Sequence, residues 1–129
     1  MTTILVTGAS GQLGSEIREL SARYSGYEFI FTDTGEMDIT DVKATSAFIA
    51  ANSPSWIINC AAYTAVDRAE DEESLATLIN AGGVENIVTA IRGSGCRLIH
   101  ISTDYVFDGS SAVPYSEDDS PSPASAYGR

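Results

Sequence analysis

The chain has 129 residues, 43% of them hydrophobic, and a formal net charge of −11. That is enough apolar material for one domain with its own core, and no apolar run approaches the ~20 residues that span a bilayer. The acidic balance argues against nucleic acid and anionic membrane surfaces as partners, since both select basic patches, and the N-terminus lacks the basic, apolar and small-residue regions of a secretory signal, so a cytoplasmic location is expected.

The first apolar run, Thr3–Thr7, reads as a buried strand that ends in Thr7-Gly8, with Gly11 and Gly14 following at three-residue intervals. Backbone N–H groups at such a turn and the dipole of the following helix favour a phosphate, which net negative charge does not exclude. A spaced glycine triplet is weak alone, because many turns hold glycine for backbone reasons. Here a strand precedes it and a helix follows, Gln12–Tyr24, with Leu13, Ile17 and Leu20 on one face, and that context marks a dinucleotide-binding turn.

Tyr27–Thr32 reads as the second strand. Asp33 lies just past it, about 20 residues beyond Gly14, where a carboxylate hydrogen-bonds the adenosine ribose hydroxyls and repels a 2′-phosphate. This favours NAD(H) over NADP(H); the alternative is that Asp33 only opens the loop Asp33-Thr34-Gly35. Asp38 competes for a place beside the cofactor, or helps to start the next helix, Asp41–Asn52. Trp56–Cys60 is the third strand. A long helix over Glu72–Arg92 carries Leu75, Leu78, Ile79, Gly82, Ile87, Val88 and Ile91 on one side. Gly82 and Gly83 weaken it, so close packing against the sheet is expected there. Arg97–Ser102 is the fourth strand, and Gly93 and Gly95 stop the helix before it.

Strands alternating with helices imply an α/β fold: a Rossmann-like, doubly wound parallel sheet with right-handed crossovers and an expected strand order of 3-2-1-4. Ligands then sit at the carboxyl ends of the strands, at Gly8 to Gly14, Asp33, Asn59 to Thr64 and Ser102 to Tyr105. The tail Ala112–Arg129, with Pro114, Pro121, Pro123 and the acidic Glu117, Asp118 and Asp119, reads as an irregular surface segment. Cys60 and Cys96 read as buried reduced thiols, His100 as a structural histidine, and no cluster has metal-ligand spacing.

Four segments stand in order: Thr7-Gly8-x-x-Gly11-x-x-Gly14, Asn59-Cys60-Ala61-Ala62-Tyr63-Thr64-Ala65-Val66-Asp67, Ser102-Thr103-Asp104-Tyr105-Val106-Phe107-Asp108-Gly109, and Tyr127-Gly128-Arg129. The set resembles the extended short-chain dehydrogenase/reductase family, and within it the dTDP-4-dehydrorhamnose reductases. The likeness covers essentially the whole chain. The glycine segment is shared across the superfamily; the second and third segments are much narrower signals.

The resemblance implies hydride transfer from NADPH or NADH to the C4 keto group of dTDP-4-dehydro-L-rhamnose, giving dTDP-L-rhamnose. It makes Tyr127 the acid and Thr103 the hydroxyl that orients the carbonyl. Val66, Thr103, Asp104 and Tyr105 border the nucleotide-sugar substrate. Gly8, Ser10, Gly11, Gln12, Leu13 and Gly14, with Asp33, Asp38, Ile39, Ala61, Ala62 and Thr64, border the cofactor. Cys60 replaces a small residue common in the family. The family lysine falls four residues after Tyr127, past Arg129. Residues 1–129 are therefore expected to be the NAD(P)-binding part of a larger enzyme, nearly inert alone, whose sugar-binding region lies beyond and which forms a homodimer. Two other readings stand beside it. One is a nucleotide-sugar epimerase or dehydratase, against which the Ser102–Gly109 octet argues. The other is a non-catalytic, cofactor-binding regulatory subunit like that of methionine adenosyltransferase.

Overall fold

The computed structural model describes residues 1–129. Four parallel strands, β1 (Thr2–Thr7), β2 (Tyr27–Thr32), β3 (Trp56–Asn59) and β4 (Arg97–His100), form one sheet in the order β2-β1-β3-β4. The helices are α1 (Gln12–Ser21), α2 (Val42–Asn52), α3 (Val66–Ala69), α4 (Glu73–Thr77) and α5 (Gly83–Ile91). A π-helical turn, Leu78–Gly82, joins α4 to α5, and a 3-10 turn covers Asp104–Val106.

The α/β class and parallel sheet are as expected, but the strand order is not 3-2-1-4. The direction of winding reverses after β2, and β3 inserts on the far side of β1. The reason lies in which strands tolerate an edge. β1 is covered on both faces, with Leu5 and Val6 at 0% exposure, whereas β2 opens with exposed Tyr27 and Glu28. A strand carrying a charged residue suits the edge, and the apolar Trp56-Ile57-Ile58 of β3 suits the interior. After β2 the chain runs through turns that send Met37 and Ile39 into the core.

Of the five α-helices, α2 has a side-chain N-cap. Asp41 is the N-cap of α2, its carboxylate accepting from the N–H groups of Lys43 and Ala44, each at 2.9 Å, which satisfies two otherwise orphaned donors. The long helix expected over Glu72–Arg92 exists but is interrupted by the π turn. Its glycines differ. A Cβ on Gly83 would come within 2.7 Å of Ile39 Cγ1, so this glycine admits the Ile39 loop rather than the sheet. Gly82 is under no such constraint.

The main core joins Leu5, Met37, Ile39, Ile49, Ile57 and Ile87. A second, smaller cluster joins Ala69, Ala76 and Ala126, with Tyr63 and Tyr127 packed against it. The tail is irregular, as expected, but its end is not a surface segment: Ala126 is buried between α3 and α4. No helix is long and apolar enough to cross a membrane.

Candidate active site

The glycine turn is built by close backbone approach. Gly8 has φ +61, and a Cβ on it would sit 2.6 Å from the amide nitrogen of Ala61, so the turn after β1 can approach the segment after β3 this closely only at a glycine. The Gly11 N–H donates to the Gly8 carbonyl at 3.0 Å. A Cβ on Gly14 would lie 2.7 Å from Ala9 Cα and nearer still to the Gly8 carbonyl oxygen. Helix α1 begins at this point with no side-chain cap and no acidic residue in its first turn. Its leading N–H groups therefore have no intrahelical partner. A cradle that a single Cβ would fill, beneath an uncapped helix N-terminus, fits a pyrophosphate.

Asp33 is held to this turn by Ser10. The Ser10 N–H donates to Oδ1 at 3.1 Å and the Ser10 hydroxyl to Oδ2 at 2.6 Å. The hydroxyl bond is the main reason that the Asp33 carboxyl lies below its ordinary pKa, against a smaller opposing effect of burial. The ionised carboxylate stands at the rim of a groove of about 410 Å³. Of the expected cofactor residues, Gly8, Gly11, Asp33, Asp38, Ile39, Ala61 and Ala62 line it, together with Thr7, Met37, Cys60 and Leu78. Burial raises the Cys60 thiol above its ordinary pKa, which favours the uncharged form. Ser10, Gln12, Leu13, Gly14 and Thr64 do not line the groove. Ser10 acts through Asp33, Gly14 lies beneath the turn, and Leu13 is 42% exposed.

A smaller cavity of about 150 Å³ adjoins the groove and shares Ala62 with it. Thr103 and Tyr127 both line this cavity, with Thr77, Asn80, His100 and Ser102. Thr103 lies just past β4 and caps the 3-10 turn, its Oγ1 accepting from the Tyr105 N–H at 3.2 Å. Tyr127 comes from the tail and meets Tyr105 edge-on, with ring centroids 5.5 Å apart. The other expected substrate residues lie elsewhere. Asp104 and Tyr105 line a separate depression with Phe107 and Tyr115, and Val66 opens α3.

A row of polar side chains crosses the sheet beneath the site. The Ala61 N–H donates to Thr7 Oγ1 at 3.3 Å, and the Thr7 hydroxyl donates to Asn59 Oδ1 at 2.5 Å. Asn59 Nδ2 lies 3.1 Å from His100 Nδ1. His100 thus has the structural bond expected of it and also forms part of the cavity wall.

Asn80 carried no expectation. It sits in the π turn, accepts from the Tyr63 N–H at 2.8 Å and donates to the Tyr63 carbonyl at 2.9 Å. Its one signal was an amide inside an apolar helical stretch. Tyr63 also packs, as expected of a ring there, and its hydroxyl donates to Glu72.

The chain resembles proteins of known activity along its whole length. It is 44% identical over 124 residues to a dTDP-4-dehydrorhamnose reductase of Streptomyces griseus, covering 96% of this chain and 40% of that protein. A crystal structure of a Clostridium acetobutylicum dTDP-4-dehydrorhamnose reductase superposes with a TM-score of 0.94 at 46% identity, covering 98% of this chain and 45% of that one. The Bacillus anthracis dTDP-4-dehydrorhamnose reductase in complex with NADP superposes at 0.95 with 39% identity, covering 99% and 46%. The chain therefore spans less than half the length of these relatives. Residues 1–129 match the family described as the RmlD substrate binding domain, and the chain belongs to that family.

Proposed function

We propose that this chain is the cofactor-binding part of an NAD(P)H-dependent reductase. The reaction converts the C4 keto group of dTDP-4-dehydro-L-rhamnose to the hydroxyl of dTDP-L-rhamnose. One observation carries the reading: Thr103 and Tyr127, far apart in sequence, line one cavity that shares Ala62 with the groove above the glycine turn. The names of the relatives support the activity and the substrate, and the NADP complex of one of them supports the cofactor.

Bound NADPH or NADH supplies the hydride. Neither the Thr103 hydroxyl proton nor the Tyr127 hydroxyl has a partner within the chain, so both are free to face a ligand. The reduction also needs a proton, which the Tyr127 hydroxyl carries. Tyr127 gives that proton to the alkoxide formed at C4 and is left as phenolate, to be reprotonated from solvent. Thr103 donates to the same oxygen and fixes the carbonyl, the preorganised arrangement that lowers such barriers most. Asp33 faces the adenosine ribose. Val66, Asp104 and Tyr105 border the sugar nucleotide once the remainder of the protein closes over them. The net charge of −11 supports a small-molecule role with neither nucleic acid nor membrane as partner, and the complete protein is proposed to be a cytoplasmic homodimer.

The test is sugar-dependent NADPH oxidation by the complete protein. Tyr127→Phe is expected to lower kcat at least ~100-fold, the scale of acid catalysis, with cofactor affinity nearly unchanged. Retained turnover would refute the assignment of Tyr127. Cofactor binding by the unaltered protein without any sugar-dependent oxidation would favour a regulatory role.

A further inference from the structure

We infer that Glu70 is a positioning residue for Tyr127, an inference that rests on the reductase reading above. Glu70 directly follows α3, and its carboxylate Oε1 accepts the backbone N–H of Ala126 at 2.9 Å across a separation of 56 residues. Ala126 immediately precedes Tyr127. The segment that carries this tyrosine has no strand pairing. Its apolar seat is three alanines, Ala69, Ala76 and Ala126, which bury little area. Methyl groups meeting one another define a depth but not a rotation. The Glu70 bond supplies the missing direction, because an N–H aligned on a carboxylate oxygen sets the plane of the peptide that leads into Tyr127.

On the other side of Tyr127 the Gly128 N–H donates to Ser125 Oγ at 3.1 Å, and the backbone passes close to Tyr105. A Cβ on Gly128 would overlap the Tyr105 carbonyl oxygen and come within 3.0 Å of Pro123 Cβ. The tyrosine is thus suspended between a hydrogen bond at the preceding residue and a backbone wedge at the following one. The Arg129–Glu73 ion pair nearby is half-exposed on both sides, at 50% and 47%, and such pairs hold little. Glu70 is the one side chain that reaches the Tyr127 segment from the α3–α4 corner with a bond to the backbone next to the tyrosine. A displacement near 1 Å of a reacting group costs on the order of 100-fold in rate, so a loose Tyr127 would show in kcat before it shows in cofactor binding.

The experiment compares Glu70→Ala and Glu70→Gln in the complete protein. Three quantities are measured: kcat for sugar-dependent NADPH oxidation, the NADPH dissociation constant, and amide hydrogen exchange over Ala124–Arg129. Glu70→Ala is expected to lower kcat between ~10-fold and ~100-fold, with NADPH affinity within about twofold and faster exchange at Ala126. Glu70→Gln keeps an acceptor oxygen, so it is expected to recover kcat to within about threefold of the unaltered protein and to restore protection. If Glu70→Ala fails to fold, Glu70→Asp takes its place; drawing the acceptor back by one methylene should give the same pattern. Unchanged kcat and exchange in the alanine variant would overturn the inference. So would a glutamine variant as impaired as the alanine one, since that would assign the effect to charge. If the unaltered protein oxidises no NADPH with the sugar, the reductase reading fails. The exchange pattern at Ala126 then still decides whether Glu70 holds the Tyr127 segment.

Discussion

Two helical glycines should respond in opposite directions to the same substitution. Replacing an interior helical glycine by alanine gains about 1 kcal/mol where nothing opposes it. Gly82 is such a position: its backbone is helical, with φ −60 and ψ −43, and an added Cβ meets only Leu78 Cδ1 at 3.6 Å, an ordinary contact. Gly14 is not. An added Cβ there overlaps the Gly8 carbonyl oxygen and lies 2.7 Å from Ala9 Cα, so Gly8 must move and Ala9 must also retreat by about 0.7 Å to reach 3.4 Å. Ala9 cannot retreat freely, because its N–H donates to the Thr32 carbonyl at 3.1 Å and the next residue is Ser10, bound to Asp33. Overpacking costs about 1–3 kcal/mol when side chains can adjust, and here backbone must move. The expected net effects are a gain of about 1 kcal/mol for Gly82→Ala and a loss of about 1–3 kcal/mol for Gly14→Ala. Thermal unfolding of the complete protein, whose relatives are more than twice as long as this chain, reads them as shifts of about 1–2 °C per kcal/mol. Gly14→Ala should also weaken NADPH at least tenfold, because the cradle itself is displaced, while Gly82→Ala should leave its affinity unchanged. Equal midpoints for the two variants would refute the steric argument.

Asp33→Ala is expected to weaken NADH more than NADPH, by about tenfold for the loss of hydrogen bonds to a charged group, in paired titrations. Equal losses would mean that Asp33 serves only the turn. Ser10→Ala should flatten the acid limb of stability. The Asp33 carboxyl is depressed below 3.8 in the folded chain, so its contribution is present above 3.8 and disappears as pH falls through the folded value. Urea midpoints with an unchanged acid slope in this variant would contradict the role given to the Ser10 hydroxyl. Asn59→Ala removes an amide that is 1% exposed and strands the Thr7 hydroxyl. A loss of about 2–3 kcal/mol is expected from chemical denaturation, and a neutral result would show that the polar row is dispensable.

The glycine turn was legible in the sequence because its requirement is steric and local. Gly8 and Gly14 each face backbone that no side chain could tolerate, and their spacing between a strand and a helix reports that. Asp33 was legible for a related reason, since it stands at a fixed distance past the turn. Leu13 sits beside the glycines in sequence, and its side chain emerges on an exposed face of α1. The strand order was misread because hydropathy marks strands without ranking their neighbours; Glu28 and Tyr27 carried the missing hint that β2 is an edge. The π turn and the Asn80–Tyr63 clamp depend on contacts across 17 residues and leave almost no local trace. Thr103 and Tyr127 were placed by resemblance, and nothing local in a proline-rich acidic tail announces that its last residues pack against α3 and α4.

The row Thr7–Asn59–His100 also bears on how the strands find their alignment. The three residues are direct partners across β1, β3 and β4, and the preceding layer on the same face is Leu5–Ile57–Leu98. A slip of one residue would turn every apolar side chain to the wrong face and is excluded by hydrophobicity alone. A slip of two residues preserves the faces, so hydrophobicity distinguishes it far less. The polar row does distinguish it. Shifting β3 by two places would set the Asn59 amide beside Leu5 and Leu98, buried without a partner, at a cost of about 1–3 kcal/mol. The residues that floor the cavity therefore also act as a locating pin, rejecting the one misalignment that greasy strands would otherwise accept.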